Sequence, residues 1–203
     1  MSASTSTRPE RSPDTGVRFR RGLPPDAEAV SAFARRVFNE TFGPLNDALD
    51  MSTYMEKAFT KAAQADELAG ATRYCVIGER DGEIVSYALL RAGSTGTLVS
   101  GDSSTEIERF YVDAPWHGRG IADAMMDETM RIARAADAKT IWLGVWSQNA
   151  RAIRFYEKRG FRDMGSQTFL LGTDLQVDRV MAQSLRESPR RESPLHIDSS
   201  HDG

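Results

Sequence analysis

Between Thr105 and Trp146 the chain changes its hydrophobic period twice. TEIERFYV (Thr105 to Val112) reads as a strand, and Ala114-Pro115 ends it. An amphipathic helix is expected from about Gly118 to Ala136, with Ile121, Ala124, Met125, Ile132 and Ala136 on its inner face. TIWLGVW (Thr140 to Trp146) follows as a continuous apolar strand. Strand, long helix and buried strand in that order demand a sheet with a helix laid against it. The first junction is the informative one. Glycine tolerates a tight turn and lets an anion approach the backbone, and a helix start presents unpaired N–H groups with a partial positive charge. His117-Gly118-Arg119-Gly120-Ile121-Ala122 is therefore a candidate anion cradle with Arg119 at its rim, although a Gly-x-Gly turn also arises for structural reasons alone.

The flanking chain supplies the other layers. VRFRRG (Val17 to Gly22) reads as a first strand. Asp26 is a candidate N-cap for a helix bearing Val30, Phe33, Ala34, Val37 and Phe38, which Gly43-Pro44 stops. Asp50 is the next candidate cap, ahead of Met51, Tyr54, Met55, Ala58 and Phe59. RYCVIGERDGEIVSYALL reads as a hairpin turning at Asp81-Gly82, and Ala92 to Ser104 mostly as loop. Asn149 caps a short helix to Arg159, closed by Gly160-Phe161. Two last strands are expected around Phe161 to Leu171 and Val177 to Leu185. The predicted order is β-α-α-β-β-β-α-β-α-β-β, an α/β (α+β) sheet with helices on its faces.

Composition narrows the classes of function. A chain of 203 residues suffices for one domain with a full core and falls short of two. Residues 17–185 read as that domain. Residues 1–16 and 186–203, rich in Ser, Pro and charge, read as disordered tails. The net charge of -3 gives no electrostatic case for nucleic acid, and the basic RIARAADAK is read as a solubilising helix surface. No apolar run approaches the ~20 residues of a membrane span, and the start lacks the hydrophobic segment of a secretory signal, so no membrane partner and a cytoplasmic location are expected. Cys75 lies in an apolar run and is read as a core thiol. His117, His196 and His201 form no metal-ligand cluster with it. The glycine turn is not a P-loop, since no Gly-Lys-Ser/Thr follows, nor a dinucleotide fingerprint, since Asp123 fills the third glycine position.

A second motif, WSQNARAIRFYEKRGF, sharpens the reading. Glu106 to Phe161 resembles the GNAT superfamily of acetyl-CoA-dependent N-acetyltransferases. His117 to Ala122 fits the phosphate motif Gln/Arg-x-x-Gly-x-Gly/Ala at both small positions, with His117 replacing the usual Gln or Arg. Asn149, Ala150, Ile153, Phe155, Tyr156, Gly160 and Phe161 match the later motif. The resemblance implies a mixed, mostly antiparallel sheet of six to seven strands, splayed after the strand that holds Phe110, Tyr111 and Val112. It implies acetyl-CoA as donor, held by those three residues, by His117, Gly118, Arg119, Gly120, Ile121 and Ala122, and by Asn149 and Tyr156. Tyr156 would protonate the leaving thiolate. A homodimer through the C-terminal strands would also follow.

An amine attacks a thioester only as the free base, and a lysine-like amine titrates near ~10.4, so a proton acceptor is needed. Glu106 and Glu108 share one face of their strand. Glu106 sits where histone-acetylating relatives place their base and is the first candidate, with Glu108 second; the alternative for each is an ion pair to Arg109 or a neighbouring strand. Glu40 to Phe59 is similar to the first helices of the branch that acetylates spermidine and spermine. The expected function is acetyl transfer to a primary amine of a small molecule, a polyamine first, with Glu40, Asp47, Asp50 and Glu56 as candidate acids at the acceptor mouth. The alternatives are a protein N-terminal or lysine acetyltransferase and a non-catalytic CoA-binding sensor on the same fold.

Overall fold

The structure, a computed structural model, describes residues 15–100 and 103–185. The expected disordered tails lie outside the described residues except for Thr15 and Gly16. Twelve main elements follow in order: β1 (Arg18–Arg21), α1 (Ala27–Phe42), α2 (Ala48–Ala58), α3 (Lys61–Ala69), β2 (Arg73–Arg80), β3 (Glu83–Ala92), β4 (Ser104–Val112), α4 (Ile121–Ala135), β5 (Thr140–Trp146), α5 (Ala150–Lys158), β6 (Arg162–Leu171) and β7 (Asp174–Ser184).

The strands form one sheet in the order β1-β2-β3-β4-β5-β7-β6. Only β4 and β5 run parallel, because the α4 crossover returns the chain to the same end of the sheet. All other neighbours are antiparallel, as the resemblance implied. The β2–β3 turn is built from Asp81 and Gly82 at φ 53° and 84°, the left-handed pair that a two-residue hairpin demands.

Helices cover both faces. Val30, Phe33, Ala34, Val37 and Phe38 of α1 pack with Met51, Phe59 and Leu68 against Cys75, Ile77, Tyr87 and Leu89. On the other face Met126, Met130 and Ala133 of α4 and Ile153 and Tyr156 of α5 close over Ile107, Ile141, Leu143 and Met181. Cys75 is 3% exposed, and burial pushes its thiol up to about 12, so it is the inert core group expected.

Three local expectations are corrected. The segment after Phe59 forms α3, which periodicity missed. Asp47, not Asp50, caps α2, accepting from the amides of Leu49 and Asp50. Asp50 instead accepts from the Thr173 amide and hydroxyl at 2.6 and 2.9 Å, tying α2 to the β6–β7 turn. Asp26 stands at the N-cap of α1 but makes no cap bond; its carboxylate turns back to the Leu23 amide and the Arg20 guanidinium, each at 2.8 Å.

One feature of the sheet prepares a site. β4 pairs with β5 only over Ser104–Glu106 against Thr140–Trp142. Beyond these residues the strands part, while β4 stays paired to β3 as far as Val112 and β5 to β7 as far as Trp146. A register shift at Leu89/Leu90 places a bulge in the β3–β4 ladder where the parting begins. The β4 backbone from Ile107 onward thus has one edge without a strand partner.

Candidate active site

The parted strands open a cleft of about 550 Å³ that passes through the sheet. At one end lie the turn after β4 and the starts of α4 and α5; at the other lie α1, α2 and the β6–β7 hairpin.

The turn is shaped by backbone conformation. Gly118 and Gly120 have φ of 73° and 79°, where a Cβ is strained. Gly118 faces open space, so its glycine serves conformation and not packing. Gly120 is the N-cap of α4, and the first intrahelical bond runs from the Ala124 amide to the Gly120 carbonyl at 3.0 Å. The amides of Ile121, Ala122 and Asp123 are therefore free of intrahelical acceptors and carry the positive end of the helix dipole. The turn is anchored by Asp113, whose carboxylate takes two bonds from Arg36 of α1 at 2.9 and 2.8 Å. That guanidinium holds the Asp113 carboxyl below its ordinary range.

The sequence-predicted residues divide into three groups. Phe110, Tyr111, Val112, His117, Gly118, Gly120, Ala122, Asn149 and Tyr156 all line the cleft. Arg119 and Ile121 do not. The Arg119 guanidinium lies over the Trp116 ring at 5.2 Å, and the Ile121 side chain is buried in the core at 1% exposure, leaving only its amide toward the turn. The glutamates split. Glu108 lines the cleft, but its carboxylate takes two bonds from Arg73 at 2.9 and 3.2 Å and lies 3.3 Å from Arg91. Glu106 stands outside the wall, where Arg91 at 2.7 Å and the Ser94 hydroxyl at 2.6 Å both bind its Oε2. The ion pair to a neighbouring strand, the alternative reading, describes both.

His117 is held by contacts at both ring nitrogens. Its Nε2 meets the Val112 carbonyl at 2.8 Å and must donate; Nδ1 then accepts from Arg151 at 2.7 Å. The ring fixes the end of β4 and holds an arginine at the cleft wall. Asn149 accepts from the Ala152 amide at 3.1 Å and so caps α5 while lining the cleft. Tyr156 is wedged among Phe110, Phe155 and Phe161, with ring centroids 6.2, 5.4 and 5.6 Å away. Burial pushes its phenol well above the ordinary value, so it keeps its proton across the physiological range.

Several lining residues were not assigned to the site from sequence. The far end is walled by Phe38, Phe42, Tyr54, Trp146 and Phe169, with Asp178 of β7 among them. Arg151 and Lys158 bring positive charge from α5. Arg151 was within reach of the sequence, two residues after the capping Asn149; Asp178 sits in a strand whose partners only the fold supplies. None of the expected acids Glu40, Asp47, Asp50 and Glu56 lines this cleft. Asp47 caps α2, Asp50 accepts from Thr173 of the β6–β7 turn, and Glu40 pairs with Arg36 and lines an adjoining pocket instead. Among the described residues no group of His, Cys, Asp or Glu could hold a metal, and no helix is long and apolar enough to cross a membrane.

Comparison with known proteins meets this geometry. An uncharacterized N-acetyltransferase of Mycobacterium tuberculosis is 32% identical over 160 residues, covering 79% of this chain and 98% of that protein. The spermine/spermidine N(1)-acetyltransferase of Bacillus subtilis is 24% identical over 106 residues, covering 52% of this chain and 66% of that protein. Among solved structures, the PaiA N-acetyltransferase of Thermoplasma acidophilum in complex with coenzyme A superposes with a TM-score of 0.69 at 16% identity, covering 83% of this chain and 98% of that one. The profile of the Acetyltransferase (GNAT) family matches residues 35–161, more than half of the chain and all of the glycine turn, the parted strands and Tyr156. On that match the chain belongs to the GNAT family of acetyltransferases.

Proposed function

We propose that the chain transfers an acetyl group from acetyl-CoA directly to a primary amine of a small molecule. The observation that carries this reading is the cleft through the parted strands. It joins an anion-binding turn at one end to an aromatic chamber at the other, with Tyr156 in its wall.

The residues present fit the donor. Free amides at the start of α4, with Arg151 and Lys158 nearby, suit a pyrophosphate. The unpaired edge of β4 from Ile107 to Val112 offers backbone groups to the amides of an extended pantetheine arm. Acetyl-CoA supplies an acyl carbon activated as a thioester, with a thiolate of conjugate pKa near ~8.5 as leaving group. Tyr156 keeps its phenol proton in the cleft wall and would serve that thiolate as a hydrogen-bond or proton donor. Holding amine and thioester together in one cleft supplies proximity, and no acyl-enzyme nucleophile is required. Cys75 is buried in the α1 face and lies outside the cleft wall.

The small-amine reading draws on the aromatic wall of the acceptor chamber and on the similarity to the spermine/spermidine acetyltransferase. The test is product identification. Purified chain, acetyl-CoA and a panel of monoamines, polyamines, amino acids and lysine or N-terminal peptides are incubated, and acetylated products are identified by mass spectrometry. Acetylation confined to small amines supports the reading. Acetylation of peptides alone moves the activity to proteins, and acetyl-CoA binding without any product makes the chain a sensor.

A further inference from the structure

The acceptor end of the cleft holds a carboxylate that no described residue neutralises. Asp178 is 9% exposed and lines the cleft, and among the described residues its carboxylate takes part in no hydrogen bond or ion pair. The other acids at the cleft are committed: Glu108 to Arg73 and Arg91, Asp123 to Arg159. A buried carboxylate without a partner is costly, and it persists where a ligand supplies the missing charge.

Strand register fixes where this group points. Asp178 stands opposite Trp146 of β5 and Gln167 of β6, and register partners share a face. Gly144 keeps that face open. A Cβ there would lie 3.1 Å from Asp178 Oδ2 and 2.8 Å from Gln167 Nε2. The carboxylate therefore overhangs β5 at Gly144, just past Trp142, the last residue of β5 paired to β4. Aromatic rings continue from there along the acceptor chamber. Trp146 meets Phe42 at 5.9 Å, Phe38 stacks on Tyr54 at 5.1 Å, and Tyr54 meets Phe169 at 5.4 Å.

We propose that Asp178 receives the ammonium group of the acceptor, and that the acceptor is a primary monoamine whose aromatic or aliphatic body packs on this wall. The proposal rests on the acetyl-transfer reading of the same cleft. The ammonium donates to Asp178, and one of its protons passes to an Asp178 oxygen. The N–H bond breaks with its electron pair left on nitrogen, an O–H bond forms, and an ion pair becomes a neutral pair. An apolar chamber favours that exchange. Burial holds the Asp178 carboxyl up at about 6, nearer to what a general base at neutral pH requires than an ordinary aspartate. A polyamine would bring further ammonium groups, and among the described residues the cleft wall offers no second free carboxylate for them.

The test uses the full chain and its Asp178→Asn variant, with 2-phenylethylamine, hexylamine and spermidine as probes. Binding of each amine is measured by calorimetry, independently of turnover, and acetylation by kcat/KM. Acetyl-CoA affinity of the variant, expected within about twofold of wild type because charge at the far end of the cleft is untouched, serves as the folding control. Wild type is expected to prefer both monoamines over spermidine by about tenfold or more. The variant is expected to lose about tenfold or more in monoamine affinity and about 100-fold or more in kcat/KM. Spermidine preferred by wild type, or monoamine binding and turnover unchanged in the variant, overturns the proposal and leaves acetyl transfer standing. Monoamine binding that needs Asp178 but yields no acetylated product overturns the acetyl-transfer reading and leaves the ammonium site standing.

Discussion

Arg151 donates to Nδ1 of His117 at 2.7 Å, across 34 residues of sequence. The same ring holds the Val112 carbonyl at 2.8 Å, so one imidazole links the end of β4 to the first turn of α5. Where the family pattern has Gln or Arg, this chain delivers its cation through a histidine. His117→Ala should weaken acetyl-CoA binding about tenfold by releasing both partners, and His117→Gln, which can donate and accept, should recover most of it. Arg151→Ala should cost a similar amount, and the double variant should cost less than the sum, because the two residues act as one unit. Calorimetric titration of the four proteins with acetyl-CoA checks this; additive losses would mean the contact does not carry the effect.

The glycines of the turn make a sharper case. Gly118→Ala puts a Cβ into open space at φ 73°, so its cost is conformational, about 1–2 kcal/mol. The chain relieves that strain by moving the turn, and the free amides of α4 move with it. Acetyl-CoA affinity should fall by about tenfold with a small drop in thermal stability. An unchanged affinity would show that the turn does not touch the donor.

Much of this site was legible because its chemistry is local. The β4–α4–β5 unit and α5 follow from period changes, a cap and glycine punctuation within one stretch of chain. What the sequence hid is tertiary. α3 escaped because its inward positions are Gln64 and Leu68, and a glutamine breaks the apolar stripe. Gln64 is 1% exposed yet satisfied, donating to the Ala58 carbonyl at 3.0 Å and to Glu67 at 2.9 Å. Glu106 and Glu108 do share a face, but so does Arg91, which lies within reach of both and engages the oxygens a base would need. Asp47 and Asp50 are equally good caps by type, and only the β6–β7 turn decides between them. Asp178 carries no sequence signal at all, since its isolation depends on three strands and two helices coming together.

α3 has an energetic consequence. Arg109 of β4 lines the cleft with its side chain 11% exposed, pairs with Glu67 of α3 and lies over the Phe59 ring at 5.1 Å. Removing one member of a buried pair strands the other charge, at a cost of about 3–5 kcal/mol. Glu67→Ala should therefore lower the melting temperature strongly, while Glu28→Ala, which breaks the exposed pair with Lys61, should shift it little. Equal shifts from thermal melts of the two variants would contradict the assignment.

Asp178 also predicts a pH signature in stability. Its carboxyl is raised from 3.8 to about 6 by burial, so the native state binds the proton more tightly than the unfolded chain. Below both values the group is protonated in both states and contributes nothing. Between them the unfolded chain ionises while the buried native carboxyl keeps its proton, so stability falls as pH rises, and above about 6 the full cost of the buried charge remains. The titratable groups sharing the cleft are Tyr54, Tyr111 and Tyr156, the paired Glu108, Arg109, Asp123, His117 and Arg151, and Lys158; the three tyrosines stay neutral here. Asp178→Asn should melt higher than wild type at pH 8 and equal to it near pH 4, the gap opening between. A variant less stable at pH 8 would show that Asp178 has a partner inside the protein.

The central claim is that this cleft moves an acetyl group to an amine with Tyr156 as proton donor. Thiol release from acetyl-CoA, followed with and without primary amines in wild type and Tyr156→Phe, tests it most directly. Amine-dependent release is predicted, with kcat lower by about 100-fold or more in the variant and acetyl-CoA affinity unchanged. Tight acetyl-CoA binding with no amine-dependent release from wild type, or full release from the variant, would contradict it.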